Sequence, residues 1–92
     1  MDRAVVIERL SEVIRQKLGI SIPDRLLETD RLFEDLSIDS IMILQLIVYI
    51  EEAFGVQVPE EDVDPAAFQT VGSIVAFIQG LHQSQSREAV ND

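Results

Sequence analysis

One side chain stands out as placed to do chemistry: Ser40, in the run Ile38-Asp39-Ser40-Ile41. The residues after it read as a helix that continues to about Phe54 and stops at Gly55, since glycine is the common residue just past a helix end. A helix start presents unpaired N–H groups and the positive end of the helix dipole. A phosphate ester placed there is stabilised by both, as anions at helix starts generally are. A serine in that first turn, at the end of a long loop, is therefore a good place to hang a phosphodiester. Aspartate and serine are also preferred at helix starts with nothing attached, so the dipeptide alone leaves both readings open.

The remaining candidates for chemistry are weaker. Asp35, Asp39, Glu51 and Glu52 are carboxylates without a convergent base, nucleophile and oxyanion set; solvated charge accounts for them, and the chain reads as a non-enzyme. Glu60, Glu61, Asp62 and Asp64 lack the alternating ligands and central glycine of an EF-hand loop, so no metal site is assigned. His82 is the only histidine and lies near the C-terminus. The absence of cysteine removes disulfides, thiolate metal sites and a cysteine nucleophile.

Composition narrows the partners. A net charge of −10 over 92 residues argues against nucleic acid, whose binding depends on Lys and Arg at phosphates, and favours basic protein surfaces. The longest apolar run, Ile41 to Ile50, is interrupted by Gln45 and is too short to span a membrane. The N-terminus enters a charged amphipathic segment without the apolar core of a secretory signal, so the cytoplasm is the expected compartment. At 47% apolar residues the chain has enough to bury, although a domain this short buries a smaller share of its surface than a large one.

The elements that must position Ser40 follow from periodicity. Asp2 to Leu18 carries Val6, Ile7, Leu10, Val13, Ile14 and Leu18 at helical spacing, with Asp2 available as cap and Gly19 as stop. From Ile20 to Asp39 runs a long connection with a short helical turn allowed around Pro23 to Leu27. Leu26, Leu27, Leu32, Phe33 and Leu36 are available to anchor it, and a connection of this length in a small domain needs anchoring or a function. The helix from Asp39 or Ser40 follows. A short helix limited by Pro65 fits within Pro59 to Phe68, and Thr70 can cap a last helix through Leu81. Residues 1–82 form one domain in this reading, and 83–92 a flexible tail. The expected fold is all-α, an antiparallel bundle of three to four helices with a long loop between the first and second.

The helix after Ser40 is more apolar than one buried stripe requires. With Ile43, Leu44, Leu46, Ile47, Ile50 and Phe54 assigned inward, Ile41, Met42, Gln45, Val48, Tyr49 and Glu52 face outward. That leaves an apolar strip beside Ser40, the kind of surface that marks an interaction site unless the loop or first helix covers it. Methionine suits surfaces that meet more than one partner.

The run Leu32-Phe33-Glu34-Asp35-Leu36-Ser37-Ile38-Asp39-Ser40-Ile41, with Leu44, Leu46, Ile50, Glu51-Glu52, Phe54, Val58, Pro59 and Thr70-Val71 following in order, resembles the acyl and peptidyl carrier proteins over roughly residues 5 to 80. The resemblance implies that Ser40 carries a covalent 4′-phosphopantetheine arm, installed from coenzyme A by a phosphopantetheinyl transferase with Asp39 assisting. The arm's thiol then holds a thioester, which is how a chain without cysteine takes part in thiol chemistry. Fatty-acid carriers usually place acids where this chain has Met42 and Gln45, and a glycine where it has Ser37, which points away from a fatty-acid role. The stretches Leu44 to Glu51, Val63-Asp64-Pro65 and Phe68 to Ser73 look most like free-standing aryl carriers of petrobactin-type siderophore pathways. That implies a dihydroxybenzoyl cargo, an adenylating ligase that loads it and a downstream condensing or synthetase enzyme. The rival reading is an unmodified helical adaptor that uses the apolar helix only to bind proteins.

Overall fold

The computed structural model describes residues 2–91 except Asp24, Glu60 and Asp62, with side chains described through Gln85. Helix α1 spans Arg3–Val13 and continues as a π turn, Ile14–Leu18. Helix α2 spans Ser40–Phe54, a 3-10 turn follows at Pro65–Phe68, and helix α3 spans Val71–Asn91. The all-α fold with a long first loop is as the sequence implies. Gly19 and Gly55 end their helices at φ 68 and 64, a region that costs glycine little and other residues more.

Helix α1 packs against both α2 and α3. Val6, Leu10 and Ile14 meet Leu46 and Ile50 of α2 and Ile74, Val75 and Ile78 of α3 in one core, all essentially without solvent contact. The long loop joins that core through Leu26, Leu32, Leu36 and Ile38. Its backbone is also clipped to the start of α3. Leu32 donates to the Gln69 carbonyl (3.0 Å), Val71 to Asp30 (2.9 Å) and Gly72 to Glu28 (2.9 Å), around a single antiparallel bridge between Arg31 and Thr70. A side chain on residue 72 would sit 3.1 Å from the Glu28 carbonyl oxygen, so the close approach of the two backbones favours glycine there. Thr70 caps α3 as expected: Ser73 N–H donates to its hydroxyl (3.1 Å) while Thr70 N–H donates back to the Ser73 hydroxyl (3.0 Å), a reciprocal cap of the capping-box kind.

The structure corrects several local expectations. Leu27 and Phe33 do not anchor the loop; both are more than half exposed. No helical turn forms among the described residues around Pro23 to Leu27, where Asp24 lies outside the described set. Asp2 sits at the start of α1, but its side chain makes no capping bond and only its carbonyl accepts from Val6. Pro65 opens the 3-10 turn rather than limiting a helix before it, with the Asp64 carboxylate accepting from Ala66 N–H at 3.0 Å. Proline suits a first helical position because its missing N–H would have no partner there. Helix α3 continues past Gln83, where the sequence suggests a tail. The Gln85 amide both accepts from Gln57 N–H (2.9 Å) and donates to Gln57 C=O (2.8 Å), tying α3 to the segment after α2.

Ion pairs brace the loop from outside, with Arg31 reaching both Glu34 and Asp35. Arg3 pairs with Glu28, and its guanidinium also donates to the Gln79 side chain and the Gly72 carbonyl. Asp35 accepts from the Arg31 backbone N–H (2.7 Å) and from its guanidinium. These bonds hold the Asp35 carboxyl below its ordinary range, the backbone bond contributing most. The Arg3 hydrogen bond does the same for Glu28. A carboxyl lowered by folding adds stability that is present above its unfolded pKa and fades as pH falls through the lower folded value. In an acid titration followed by circular dichroism, wild-type protein should lose stability below about pH 4. Asp35→Asn should start less stable at neutral pH and lose less over that window. Parallel curves would show that Asp35 does not set the acid limb.

Candidate functional site

Ser40 owes its position to an in-and-out alternation just before α2. Leu36 and Ile38 are buried, whereas Ser37, Asp39 and Ser40 are exposed. Ile38 locks the approach, its N–H donating to the Leu32 carbonyl at 2.8 Å. Asp39 is the N-cap, extended at φ −92 and ψ −178, and its carboxylate accepts from Met42 N–H at 2.9 Å. Ser40 is then the first residue of α2, exposed at the positive end of the helix dipole.

Ser37 holds the turn at φ +58, alone in that region among the described non-glycine residues. A left-handed conformation costs an ordinary residue roughly 1–2 kcal/mol, and a glycine there escapes most of it while losing more entropy on folding. Ser37→Gly is therefore expected to stabilise the fold by about 0.5–1 kcal/mol, a rise in midpoint of about 2–8 °C for a domain of this size. Thermal denaturation checks it, and a lower midpoint would count against strain at Ser37.

Along α2 the exposed strip is real but rotated from its expected place. Ile41 (68% exposed), Leu44 (63%) and Val48 (50%) line it at spacings of three and four, with Gln45 and Glu52 exposed beside them. Leu44, expected inward, faces out, while Met42 and Tyr49, expected outward, are half-buried against the core. The buried arc is set by Leu46, Ile47, Ile50 and Phe54. Leu44 precedes Leu46 by two residues, about 200° around the helix, and lands on the opposite side.

The far end of α2 holds groups that sequence reasoning missed. The Glu51 carboxylate accepts from Val58 N–H at 2.9 Å, so it closes the turn after the helix. Arg9 donates to the Ala53 carbonyl (3.1 Å), with its guanidinium 6.0 Å from the centre of the Phe54 ring. A cation at a helix C-terminus offsets the dipole that Glu51 and Glu52 oppose. Both bonds join residues that the chain alone gives no reason to pair.

Beside Ser40 lies a cleft of about 220 Å³, walled by Ser40, Phe33, Ile43, Val63, Pro65 and Phe68. Phe68 is buried and meets Phe77 edge-on at 5.6 Å between ring centres, which fixes the cleft floor. A larger groove of about 510 Å³ between α1 and the loop, by Ile7, Ser11 and Leu26, shares no residue with this cleft. Among the described residues no group of three metal-ligating side chains converges, and no helix is long and apolar enough to cross a membrane.

Residues 8–78, which include the Ser40 turn and its cleft, match the family described as the phosphopantetheine attachment site. The chain belongs to the phosphopantetheine-carrying acyl carrier proteins. It is 44% identical over 85 residues to acyl carrier protein AsbD of Bacillus anthracis, covering 92% of this chain and 93% of that one. An acyl carrier protein of Rhodococcus erythropolis is 36% identical (94% and 90% covered), and the meromycolate extension acyl carrier protein of Mycolicibacterium aurum 34% (91% and 84%). The chain is thus a carrier and not a catalyst, and its cofactor is covalent 4′-phosphopantetheine. The cofactor supplies the thiol that bears the cargo as a thioester. An exposed serine at a helix start, beside an apolar cleft, fits such a group.

Proposed function

We propose that this carrier holds its arm on Ser40 and presents a dihydroxybenzoyl thioester to the enzymes of a siderophore-type pathway. The observation that carries the attachment is the exposed Ser40 hydroxyl in the first turn of α2, within a segment matching the attachment-site family. In the loading step the Ser40 oxygen bonds to the β-phosphorus of coenzyme A and the pyrophosphate linkage breaks. Adenosine bisphosphate leaves, and the serine proton passes to a base on the transferase. Asp39 assists by fixing the helix start through Met42 N–H and by offering its second carboxylate oxygen toward the transferase's metal ion.

An aryl cargo is supported by the sequence likeness to free-standing aryl carriers; the higher identity to acyl carrier protein AsbD, 44%, than to the meromycolate extension carriers, 32–34%, argues against a meromycolate role. The partners in this reading are a phosphopantetheinyl transferase, an adenylating ligase and a downstream synthetase. They dock on Ile41, Leu44, Gln45, Val48 and Glu52, with Met42 and Tyr49 supporting the strip from its edges.

Intact mass after incubation with coenzyme A, magnesium and a broad-specificity transferase tests the attachment. One phosphopantetheinyl group gained is the expected result. No gain in a folded sample with several transferases would leave an unmodified adaptor in its place. Loading of the holo protein by adenylating ligases, each offered dihydroxybenzoate, amino acids or fatty acids, tests the cargo.

A further inference from the structure

Phe33 is 52% exposed, although Leu32 before it is fully buried and Leu36 after it nearly so. The turn that carries it is closed by backbone bonds. Asp35 and Leu36 donate to the Arg31 carbonyl (2.9 and 3.1 Å) and Ile38 to that of Leu32 (2.8 Å), while Leu32 donates to Gln69 across the junction with α3 (3.0 Å). The ring is therefore held out on a rigid support, close enough to Ser40 to wall the same cleft. An exposed aromatic on such a support is suited to anchor a partner, because little freedom is lost when its remaining surface is buried. We infer that Phe33 is a docking anchor for the phosphopantetheinyl transferase, received by an apolar pocket beside that enzyme's coenzyme A site. This rests on Ser40 being the attachment residue.

Geometry selects the partner. The transferase must bring its reacting centre to the Ser40 oxygen itself, so the side chains beside Ser40 are covered during its reaction. Enzymes that act on the thiol meet it at the far end of the arm and need not close over the serine. Charge agrees. Glu34, Asp35 and Asp39 lie in the same short run as Phe33 and Ser40, and no Lys or Arg occurs from Leu32 to Leu81. Arg31, just before that run, is paired with Glu34 and Asp35. An enzyme that holds the phosphates of coenzyme A needs cations at its site. A rim of cations around an apolar pocket complements a ring set among carboxylates. Ile41, next in the chain to Ser40, is 68% exposed and begins the strip on α2, so apolar surface adjoins the serine from both the loop and the helix.

The test follows initial rates of phosphopantetheinylation by intact mass, at varied carrier concentration, with coenzyme A, magnesium and a broad-specificity transferase. Phe33→Ala is expected to raise KM for the carrier about 4- to 12-fold, the effect of leaving half a phenylalanine side chain unburied. Its kcat should stay near the wild-type value, as for an interaction made equally in the ground and transition states. Phe33→Leu should recover most of the loss. Leu27→Ala removes a side chain that is 57% exposed and does not wall the cleft, and should match the wild type. Phe33 lies outside the buried core, so its variants should fold, which circular dichroism checks. Once fully modified, Phe33→Ala should be loaded at the wild-type KM by an adenylating ligase that accepts the wild type. An unchanged KM for the transferase, an equal rise in Leu27→Ala, or a rise confined to the ligase would each overturn the inference while leaving attachment at Ser40 intact. A wild type that gains no mass would instead sink the attachment reading, and the inference with it.

Discussion

Ser40→Ala should gain no mass with coenzyme A and any transferase that modifies the wild type, while keeping the same circular dichroism spectrum and nearly the same melting temperature. The chemical effect is all-or-none, because alanine has no oxygen to form the phosphoester. The structural effect is small because Ser40 is exposed and is not the capping residue. Asp39 accepts from Met42 N–H and keeps doing so in the variant. Alanine is the best helix former, and exposed substitutions away from caps and core usually shift stability by no more than about 0.5 kcal/mol. The paired variant Asp39→Ala separates the roles. Loss of the cap should destabilise by about 1 kcal/mol and slow modification without abolishing it. A Ser40→Ala protein that still gains the group would place the attachment elsewhere.

Leu44→Asp should weaken binding to a loading or receiving enzyme by about 10- to 150-fold. Leu44 lies in the middle of the strip between Ile41 and Val48. Burying an exposed leucine contributes about 1.5–3 kcal/mol, which converts to about 10- to 150-fold in affinity. Aspartate removes that gain and adds a charge that must lose its water. Since Leu44 is 63% exposed in the free protein, the change should leave the melting temperature almost untouched. Calorimetric titration against the cognate ligase would measure it, with Met42→Asp as the contrast. Met42 is half-buried against the core, so its substitution should lower stability as well as binding. An unchanged affinity for Leu44→Asp would move the docking face off α2.

The strongest signals in the sequence were those written locally. Gly19 and Gly55 stop their helices, Thr70 caps α3, and the Asp39-Ser40 pair begins α2, each through a preference acting within one turn of chain. The orientation of α2 was less legible. When nine of ten residues from Ile41 to Ile50 are apolar or aromatic, periodicity hardly distinguishes one face from another. The phase is fixed only by which residues meet α1 and the loop. Leu44 was misplaced for that reason, and Leu27 and Phe33 because hydrophobicity in an irregular loop carries no periodic cue. Arg9 on Ala53, Glu51 on Val58 and the Gln57–Gln85 pair are polar contacts made after packing brings their elements together. The cleft walls come from the loop, α2 and the segment before α3, so no single stretch of sequence announces it.

The bridge between Arg31 and Thr70 has a kinetic consequence. Amides of Leu32, Val71 and Gly72 donate across the same junction between loop and helix. Breaking one of these bonds leaves its neighbours bent around an empty space, so they open together as a single cooperative unit. The loop that delivers Ser40, which its length alone would suggest is slack, therefore has an opening free energy in common with the first turn of α3. A partner that pries at the serine works against a hinge fastened next to Phe33 and Phe68, the residues that wall the cleft beside it.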